Sequence, residues 1–283
     1  MGMKKNNEIA EDTRFPVYQC LLPVSRQTVN HCTGLLARHL EKSGSKWRRL
    51  PAPRIVTLVL ALLRHDQRVF DLAGGNAISE TTLRRWRDEL LRLLAAQAPR
   101  LPRVLRKIAR RGGEAVLIDG TLIPTQRRSG ASNRKNYSGK HRRHGLHFLA
   151  LTDEKGRLLW ISAARPGSTH DTTAARRDHI VQHLRDAGLG ALADLGFVGV
   201  DNTPEADPDD PVVVNGFKAT RARKLNPGQK QANQVLAAAR APVEHGFAAL
   251  KCWQILTKLR IAATGATALL RALLILTNLE SNR

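Results

Sequence analysis

Apolar residues recur at helical spacing through the first third of the chain. Between Ser25 and Leu40, and again from Arg54 to Leu63, they lie three or four positions apart, with Pro53 just ahead of the second run. A short run from Val69 to Ala73 follows and is closed by two glycines. Because this spacing places apolar side chains on one face of a helix, the pattern predicts an all-α region without strands.

The pattern changes after Gly112 and Gly113 to short runs of β-branched and apolar residues. We predict strands at 115–118, 146–151, 157–163, 191–193 and 212–214, a turn at 153–156, and a helix at 172–187. Helices at 228–257 and 264–279 follow, with Pro242 either kinking the first or marking the start of the part that carries Glu244. The sequence therefore predicts a helical region at residues 1–111 and an α/β region at residues 112–283.

The order of these elements predicts the fold of the second region. Three strands in a meander, a helix, a strand, a further strand and a long helix are the order found in the ribonuclease-H-like fold. We therefore expect a mixed five-stranded sheet with flanking helices.

Charge narrows the choice of partner. The chain has 283 residues, with 46 Lys and Arg against 24 acids, and a net charge of +22. A globular chain this basic repels itself unless a polyanion offsets the charge, so nucleic acid is the favoured partner. An anionic membrane surface is disfavoured because no long basic amphipathic helix stands apart and no apolar run reaches membrane-spanning length.

Cysteine usage indicates the compartment. Cys20, Cys32 and Cys252 are odd in number, widely spaced and form no CxxC pair. This pattern excludes a zinc ribbon and a disulfide framework and suits a reducing environment. We expect a cytoplasmic, nucleoid-associated protein.

Residues 69–94 predict a helix-turn-helix. A short helix and a glycine turn lead to Ser79, a good N-cap for a second helix. The positions of that helix expected to contact the major groove are Thr82, Arg84, Arg85 and Arg87. The alternative is an ordinary helical pair with a basic, solvated face.

Three acids stand where metal-dependent phosphodiester chemistry would need them. Asp119 ends the first predicted strand, Asp194 ends the fourth, and Glu244 lies on the late helix two turns before Lys251. Three carboxylates can hold two hard divalent cations, and a cationic side chain can contact the phosphate. Asp153 and Asp171 are left out of this set, since Asp171 opens a helix, where an aspartate serves as a cap.

A basic segment at residues 127–143 contains seven Lys or Arg and no acid. It is either a solvated hairpin connection or a clamp for the DNA backbone, and the second is favoured beside a phosphodiesterase site. Its candidate DNA contacts are Arg134, Lys135, Lys140, Arg142 and Arg143. His141, His144 and His147 recur at every third residue, which alternates the faces of a strand and argues against a shared zinc ion.

Six motifs carry a resemblance to a known family. They are Leu117-Ile-Asp119-Gly-Thr, the segment 136–144, Pro166-Gly-Ser-Thr-His170-Asp171, Asp194-Leu-Gly-Phe-Val-Gly, the segment 226–233, and Arg240-x3-Glu244-x6-Lys251. In this order they resemble the DDE-type transposases of the insertion-sequence-five group, which are related to the Harbinger transposases and their domesticated nucleases.

The resemblance implies specific functions for these residues. Asp119 would bridge two Mg²⁺ ions, for which Mn²⁺ can substitute, while Asp194 and Glu244 would each hold one ion. Arg240 and Lys251 would contact DNA, although related transposases outside this group often carry Tyr in place of Arg240.

The same resemblance implies an overall activity and its rivals. The enzyme would bind double-stranded DNA as a homodimer or larger assembly, cleave its element's ends and join each 3′-OH to target DNA. The alternatives are a domesticated nuclease that cuts without joining and a non-catalytic helix-turn-helix regulator.

Overall fold

The computed structural model describes residues 19–45, 48–127, 131–202, 211–220 and 224–281. Its first part is helical, and Ser25 and Ser79 cap two of the helices by accepting a hydrogen bond from the backbone N–H three residues on. The helices are α1 (Arg26–Lys42), α2 (Ala52–His65), α3 (Val69–Gly74), α4 (Glu80–Ala95) and α5 (Leu101–Ala109).

The second part alternates strands and helices. Its elements are β1 (Ala115–Pro124), α6 (Ala131–Asn136), β2 (Tyr137–Ser138), β3 (Arg143–Thr152), β4 (Leu158–Ile161), β5 (Arg165–Pro166), α7 (Asp171–Arg177), α8 (Ile180–Ala187), β6 (Gly190–Leu192), β7 (Val213–Val214), α9 (Pro227–Lys251) and α10 (Ala263–Ser281). Two 3₁₀ turns, Leu195–Phe197 and Gln254–Leu256, follow β6 and α9.

The strands form one mixed sheet with helices on its faces. Five strands run in the order β4–β3–β1–β6–β7, while the two-residue strands β2 and β5 add to β3. β1 pairs antiparallel with β3 and parallel with β6, and β7 is parallel to β6. This arrangement agrees with the predicted ribonuclease-H-like sheet, enlarged by the two short strands.

Two predicted elements have different bounds. β1 does not end at Asp119 but continues to Pro124, because its second half pairs along β3 as far as Gly145. The single helix predicted at 172–187 is two helices, since His179 adopts a left-handed backbone with φ of +50°.

Helix α9 is continuous, which corrects the prediction that Pro242 could begin it. It starts at Pro227, where Asn226 and Gln229 form a capping box, and passes through Pro242 to Lys251. A proline here removes one backbone hydrogen bond without ending the helix. Arg240 and Glu244 therefore lie one turn apart on a single helix.

The apolar core continues across residue 111. On one face of the sheet, α1, α2 and α4 pack with the end of α9 and with α10, and Trp253 donates a hydrogen bond to Thr277 within this cluster. The other face is covered by α5, α7 and α8. The predicted division at residue 111 stays a prediction, and the packing shows that the two parts share a core.

Within the described ranges, no helix combines the length and apolar composition that a membrane span requires.

We predict that Gly246 is required where α9 crosses the β3–β4 turn. A Cβ atom there would lie 2.5 Å from the carbonyl oxygen of Gly156, so Gly246→Ala should lower the free energy of unfolding by about 1–3 kcal/mol. In the matched control, Gly228→Ala, the nearest atom is 3.6 Å away, and this change should raise stability by up to about 1 kcal/mol. Urea denaturation measures both, and equal stabilisation by the two changes would contradict the packing.

Candidate functional site

Asp119 lies in the middle of β1 on a partly covered surface of the sheet. Its carboxylate accepts a hydrogen bond from the backbone N–H of Gly120 at 2.8 Å. Burial raises the pKa of Asp119 to about 6, although the Arg240 charge and the Gly120 hydrogen bond act in the opposite direction. The neighbouring carboxylates of Asp194 and Asp171 raise it further. A shift of this size and cause is typical of functional sites.

Asp194 reaches the same place from the neighbouring strand. Leu117 of β1 pairs with Leu192 of β6 in a parallel ladder, and each acid lies two residues beyond this pair. Asp194 caps the 3₁₀ turn by accepting a hydrogen bond from the Gly196 backbone N–H at 2.8 Å. The sequence prediction that Asp119 and Asp194 meet is therefore consistent with the register of the sheet.

Asp171 is a third carboxylate at this place, although its position at the start of a helix predicts a cap and not a site residue. A Cβ atom added to Gly120 would overlap its Oδ1, and one added to Gly196 would lie 2.5 Å from its Oδ2. Its side chain does not serve as the helix cap we expected, because its hydrogen bond goes to His147 on β3 at 2.7 Å. The sequence does hold a signal for Asp171. Gly120 and Gly196 follow closely after the two predicted acids, and a glycine leaves room for another group in close contact with the backbone.

The hydrogen bond from His147 lowers the pKa of Asp171. Burial alone would raise the pKa of Asp171, but the His147 hydrogen bond and the nearby charges of His147, Lys140 and His170 outweigh it. The pKa of Asp171 therefore lies below its ordinary value. The side chain of His147 is 9% exposed, and its Nδ1 has no hydrogen-bond partner within the described residues.

Helix α9 carries three of the predicted residues, and Arg240 contacts Asp119 directly. The Arg240 guanidinium lies 3.6 Å from Asp119 Oδ1 with both side chains largely buried. Glu244 is on the next turn of the same face, but its side chain is exposed and makes no hydrogen bond or ion pair with the described residues. Lys251, exposed at the helix end, lies 5.8 Å from the centre of the Phe247 ring.

Cationic side chains lie near His141 and Asp171. Burial lowers the pKa of His141, and the charges of Lys140, Arg143 and Lys251 lower it further. The basic loop before β3, which contains His141, therefore lies near the end of α9. Lys140 also acts on the pKa of Asp171, so the loop reaches the acids themselves.

The remaining predicted DNA contacts lie at the surface. Arg84 and Arg85 are exposed on α4, where Arg84 forms an ion pair with Glu80, and Arg87 forms one with Asp88. The Thr82 hydroxyl lies 2.9 Å from that of Ser79. The exposed basic residues around β2 are Arg134, Lys135, Lys140, Arg142 and Arg143. DNA recognition by these residues stays a prediction, and residues 128–130 of the basic segment lie outside the described residues.

The acids fit a hard cation by their chemistry. Among the described residues, no group of three or more His, Cys, Asp or Glu side chains is placed to hold a metal ion as it stands. The set of Asp119, Asp194 and Glu244 therefore stays a prediction, with Glu244 directed to solvent. Mg²⁺ is commonly held by one or two carboxylates together with water and substrate phosphates, and the acids that meet here supply only oxygen atoms.

Comparison with known proteins identifies the class. The family model of the DDE superfamily endonucleases matches residues 118–278, which is more than half of the chain and includes all four acids above. The chain therefore belongs to the DDE superfamily endonucleases. A protein of Streptomyces albus G, described provisionally as a transposase for insertion sequence element IS112, is 27% identical over 229 residues, which cover 79% of this chain and 78% of the relative. No solved structure matches the chain significantly.

The raised pKa of Asp119 predicts a pH dependence of stability. Because that pKa rises from 3.8 to about 6 on folding, the folded protein binds more protons than the unfolded chain between these values. The contribution of Asp119 to the free energy of unfolding should therefore fall as the pH rises through this window. Asp119→Asn removes this titrating group. As the pH rises through this window, the free energy of unfolding of the wild type, measured relative to that of the variant, should therefore fall by on the order of 1–3 kcal/mol.

Urea denaturation in the presence of a chelator, from about pH 4 to about pH 6.5, measures this difference. Wild-type and Asp119→Asn proteins with parallel pH profiles would contradict the environment described for Asp119.

Proposed function

We propose that this protein is a transposase of the insertion-sequence-five group. It cleaves double-stranded DNA at the ends of its own element and joins the resulting 3′-OH groups to target DNA. The observation that carries the proposal is the pairing of β1 with β6, which brings Asp119 and Asp194 together inside the region that matches the endonuclease family. The relative from Streptomyces albus G, described provisionally as a transposase, supports transposition as the purpose of cleavage.

Asp119 and Asp194 are the residues that would hold Mg²⁺, or Mn²⁺ in its place, with Glu244 as the third ligand. Two bound ions would supply stabilisation of the charge that develops on the phosphodiester oxygens. Glu244 lies one turn beyond Arg240 on α9, and the Arg240 guanidinium lies 3.6 Å from Asp119 Oδ1, which supports Glu244 as the third ligand. Until DNA and cations bind, Arg240 partly neutralises Asp119.

The cationic residues around the acids would hold the DNA backbone. Lys140, in the loop before β3, lies near Asp171, and Lys251, at the end of α9, lies near His141 of the same loop. Their ammonium groups can bind the phosphates on either side of the cleaved bond as point charges. Arg240 would contact the same strand when it leaves Asp119. The exposed residues Arg134, Lys135, Arg142 and Arg143 would extend this surface along the duplex.

Helix α4 would read the sequence of the element's ends. Arg84 and Arg85 are exposed on it, and Thr82 and Arg87 lie half-buried beside them. Arginine contacts to guanine edges in the major groove are each worth about 1–3 kcal/mol of discrimination.

Joining two ends requires that both be held together, so we propose a homodimer or larger assembly on DNA, acting in the cytoplasm at the nucleoid.

The proposal predicts separate losses of cleavage and of binding. Asp119→Asn, Asp194→Asn and Glu244→Gln should each lower Mg²⁺-dependent cleavage of an end-containing DNA by about a thousandfold or more, because each removes a carboxylate that stabilises the transition state. Affinity for that DNA should stay within about threefold of wild type, since it depends on phosphate contacts elsewhere.

Glu154→Gln, which changes an exposed acid in the β3–β4 turn, is the matched control and should cleave normally. Cleavage in strand assays and affinity in gel-shift assays are measured on the same preparations. Metal-independent cutting, or full activity in Asp119→Asn, would reject the endonuclease assignment of these acids. DNA binding without any cleavage by the wild type would favour the regulator, and cleavage without joining would favour the domesticated nuclease.

A further inference from the structure

The carboxylate of Asp171 lies between strand β1 at Gly120 and the 3₁₀ turn at Gly196, next to the two predicted catalytic acids. Its Oδ1 faces Gly120, directly after Asp119, and its Oδ2 faces Gly196, two residues after Asp194. A side chain at either glycine would collide with it. The strand and the turn are therefore separated by the width of one planar carboxylate.

His147 holds this carboxylate on the side that faces Gly120. Its Nε2 lies 2.7 Å from Asp171 Oδ1, and its ring is buried on β3 opposite Leu122 of β1. Asp171 is thus held at one end by the backbone of α7 and at the other by a hydrogen bond to the sheet. This leaves the carboxylate little freedom to rotate or withdraw.

Burying the carboxylate of Asp171 in this place costs free energy, which indicates that the side chain does more than fill space. Asp171 lies close enough to Asp119 for the two charges to repel, and both are largely buried. An apolar side chain of similar size would fill the gap without this repulsion and without the cost of burying a charge. The planar shape and the hydrogen bond to His147 are what the carboxylate adds.

We propose that Asp171 is a positioning residue of the endonuclease site, an inference that rests on the function proposed above. Its carboxylate is a spacer that sets the separation and the direction of the Asp119 and Asp194 side chains, and His147 holds the spacer in place. Without it, no side chain separates strand β1 at Gly120 from the 3₁₀ turn at Gly196, and the turn that carries Asp194 can shift toward the strand. A displacement of about 1 Å in a catalytic group is enough to lower a rate about a hundredfold.

The test compares two replacements at one position. Asp171→Ala removes the spacer, while Asp171→Asn keeps the planar group and an acceptor for His147. We expect Asp171→Ala to lower the rate of cleavage at saturating DNA by about a hundredfold and to weaken Mn²⁺ binding without DNA by about tenfold or more. Asp171→Asn should stay within about tenfold of the wild-type rate and bind Mn²⁺ more tightly than the alanine variant.

Calorimetric titration with Mn²⁺ and single-turnover cleavage measure these effects, with melting temperature and DNA affinity recorded alongside. The matched control is Asp153→Ala, in which the removed acid lies in the β3–β4 turn and bonds to Arg157. It should match the wild type in cleavage and Mn²⁺ binding. A purely structural function for Asp171 instead predicts a lower melting temperature with a normal cleavage rate per folded molecule.

The outcomes separate this inference from the proposed function. If the wild type binds Mn²⁺ and cleaves DNA but Asp171→Ala does both equally well, the spacer is overturned and the endonuclease site stands. If Asp171→Asn is as defective as Asp171→Ala, charge and not spacing is what matters, and the inference is also overturned. If the wild type neither binds Mn²⁺ nor cleaves DNA, the proposed function fails together with it.

A second pair of variants covers the case in which Asp171→Ala does not fold. His147→Gln keeps a donor for the Asp171 carboxylate, whereas His147→Leu has similar bulk and no donor. If Asp171 acts as a spacer held by His147, His147→Leu should lose cleavage and Mn²⁺ affinity. His147→Gln should retain much of the wild-type cleavage and Mn²⁺ affinity. Equal behaviour of the two variants would overturn the inference.

Discussion

The parallel pairing of β1 with β6 is the constraint on which the site depends. These strands are far apart in the chain, and the ladder between Leu117 and Leu192 sets where both acids lie. Antiparallel pairing of β1 along β3 then keeps β1 straight past Asp119 as far as Pro124. A shift of one residue in either ladder would turn a whole set of side chains to the opposite face and separate the acids. Backbone hydrogen bonds outside the site therefore decide which side chains meet in it.

Gathering acids in this way costs folding free energy, and nearby groups offset part of the cost. Burial and mutual repulsion raise the pKa of Asp119, while Arg240 and the Gly120 N–H lower it. His147 does the same for Asp171. Lys140 places positive charge near Asp171, and Lys251 lies near His141 in the same loop. Acids beside cationic side chains are what the proposed binding of divalent cations and a phosphate backbone requires.

The parts of this arrangement that depend on local pattern could be predicted from the sequence. Helical spacing located α1, α2 and α4, and apolar runs ending in an acid located Asp119 and Asp194. The length of β1 could not be predicted, because Gly120 and Pro124 weaken a strand pattern that is in fact stabilised by pairing with β3. Pro242 likewise indicated a helix break, but the packing of α9 across Gly156 keeps the helix continuous.

Asp171 shows where single-sequence reasoning stops. An aspartate at the start of a helix is a good cap, and only the fold shows that its carboxylate turns to His147 instead. The same limit applies to the core shared by α4 and α10, which joins segments that the sequence pattern separates. Long-range packing decided both, and neither leaves a periodic signal along the chain.

The most direct test of the central claim replaces Mg²⁺ with Fe²⁺ in the folded protein and maps where the bound iron cuts the backbone in the presence of peroxide or ascorbate. If Asp119 and Asp194 form one cation site, cuts should cluster near residues 119 and 194 together, should be suppressed by excess Mg²⁺, and should be lost in Asp119→Asn. Cuts confined to other segments, or cuts at these residues that persist in Asp119→Asn, would contradict the account.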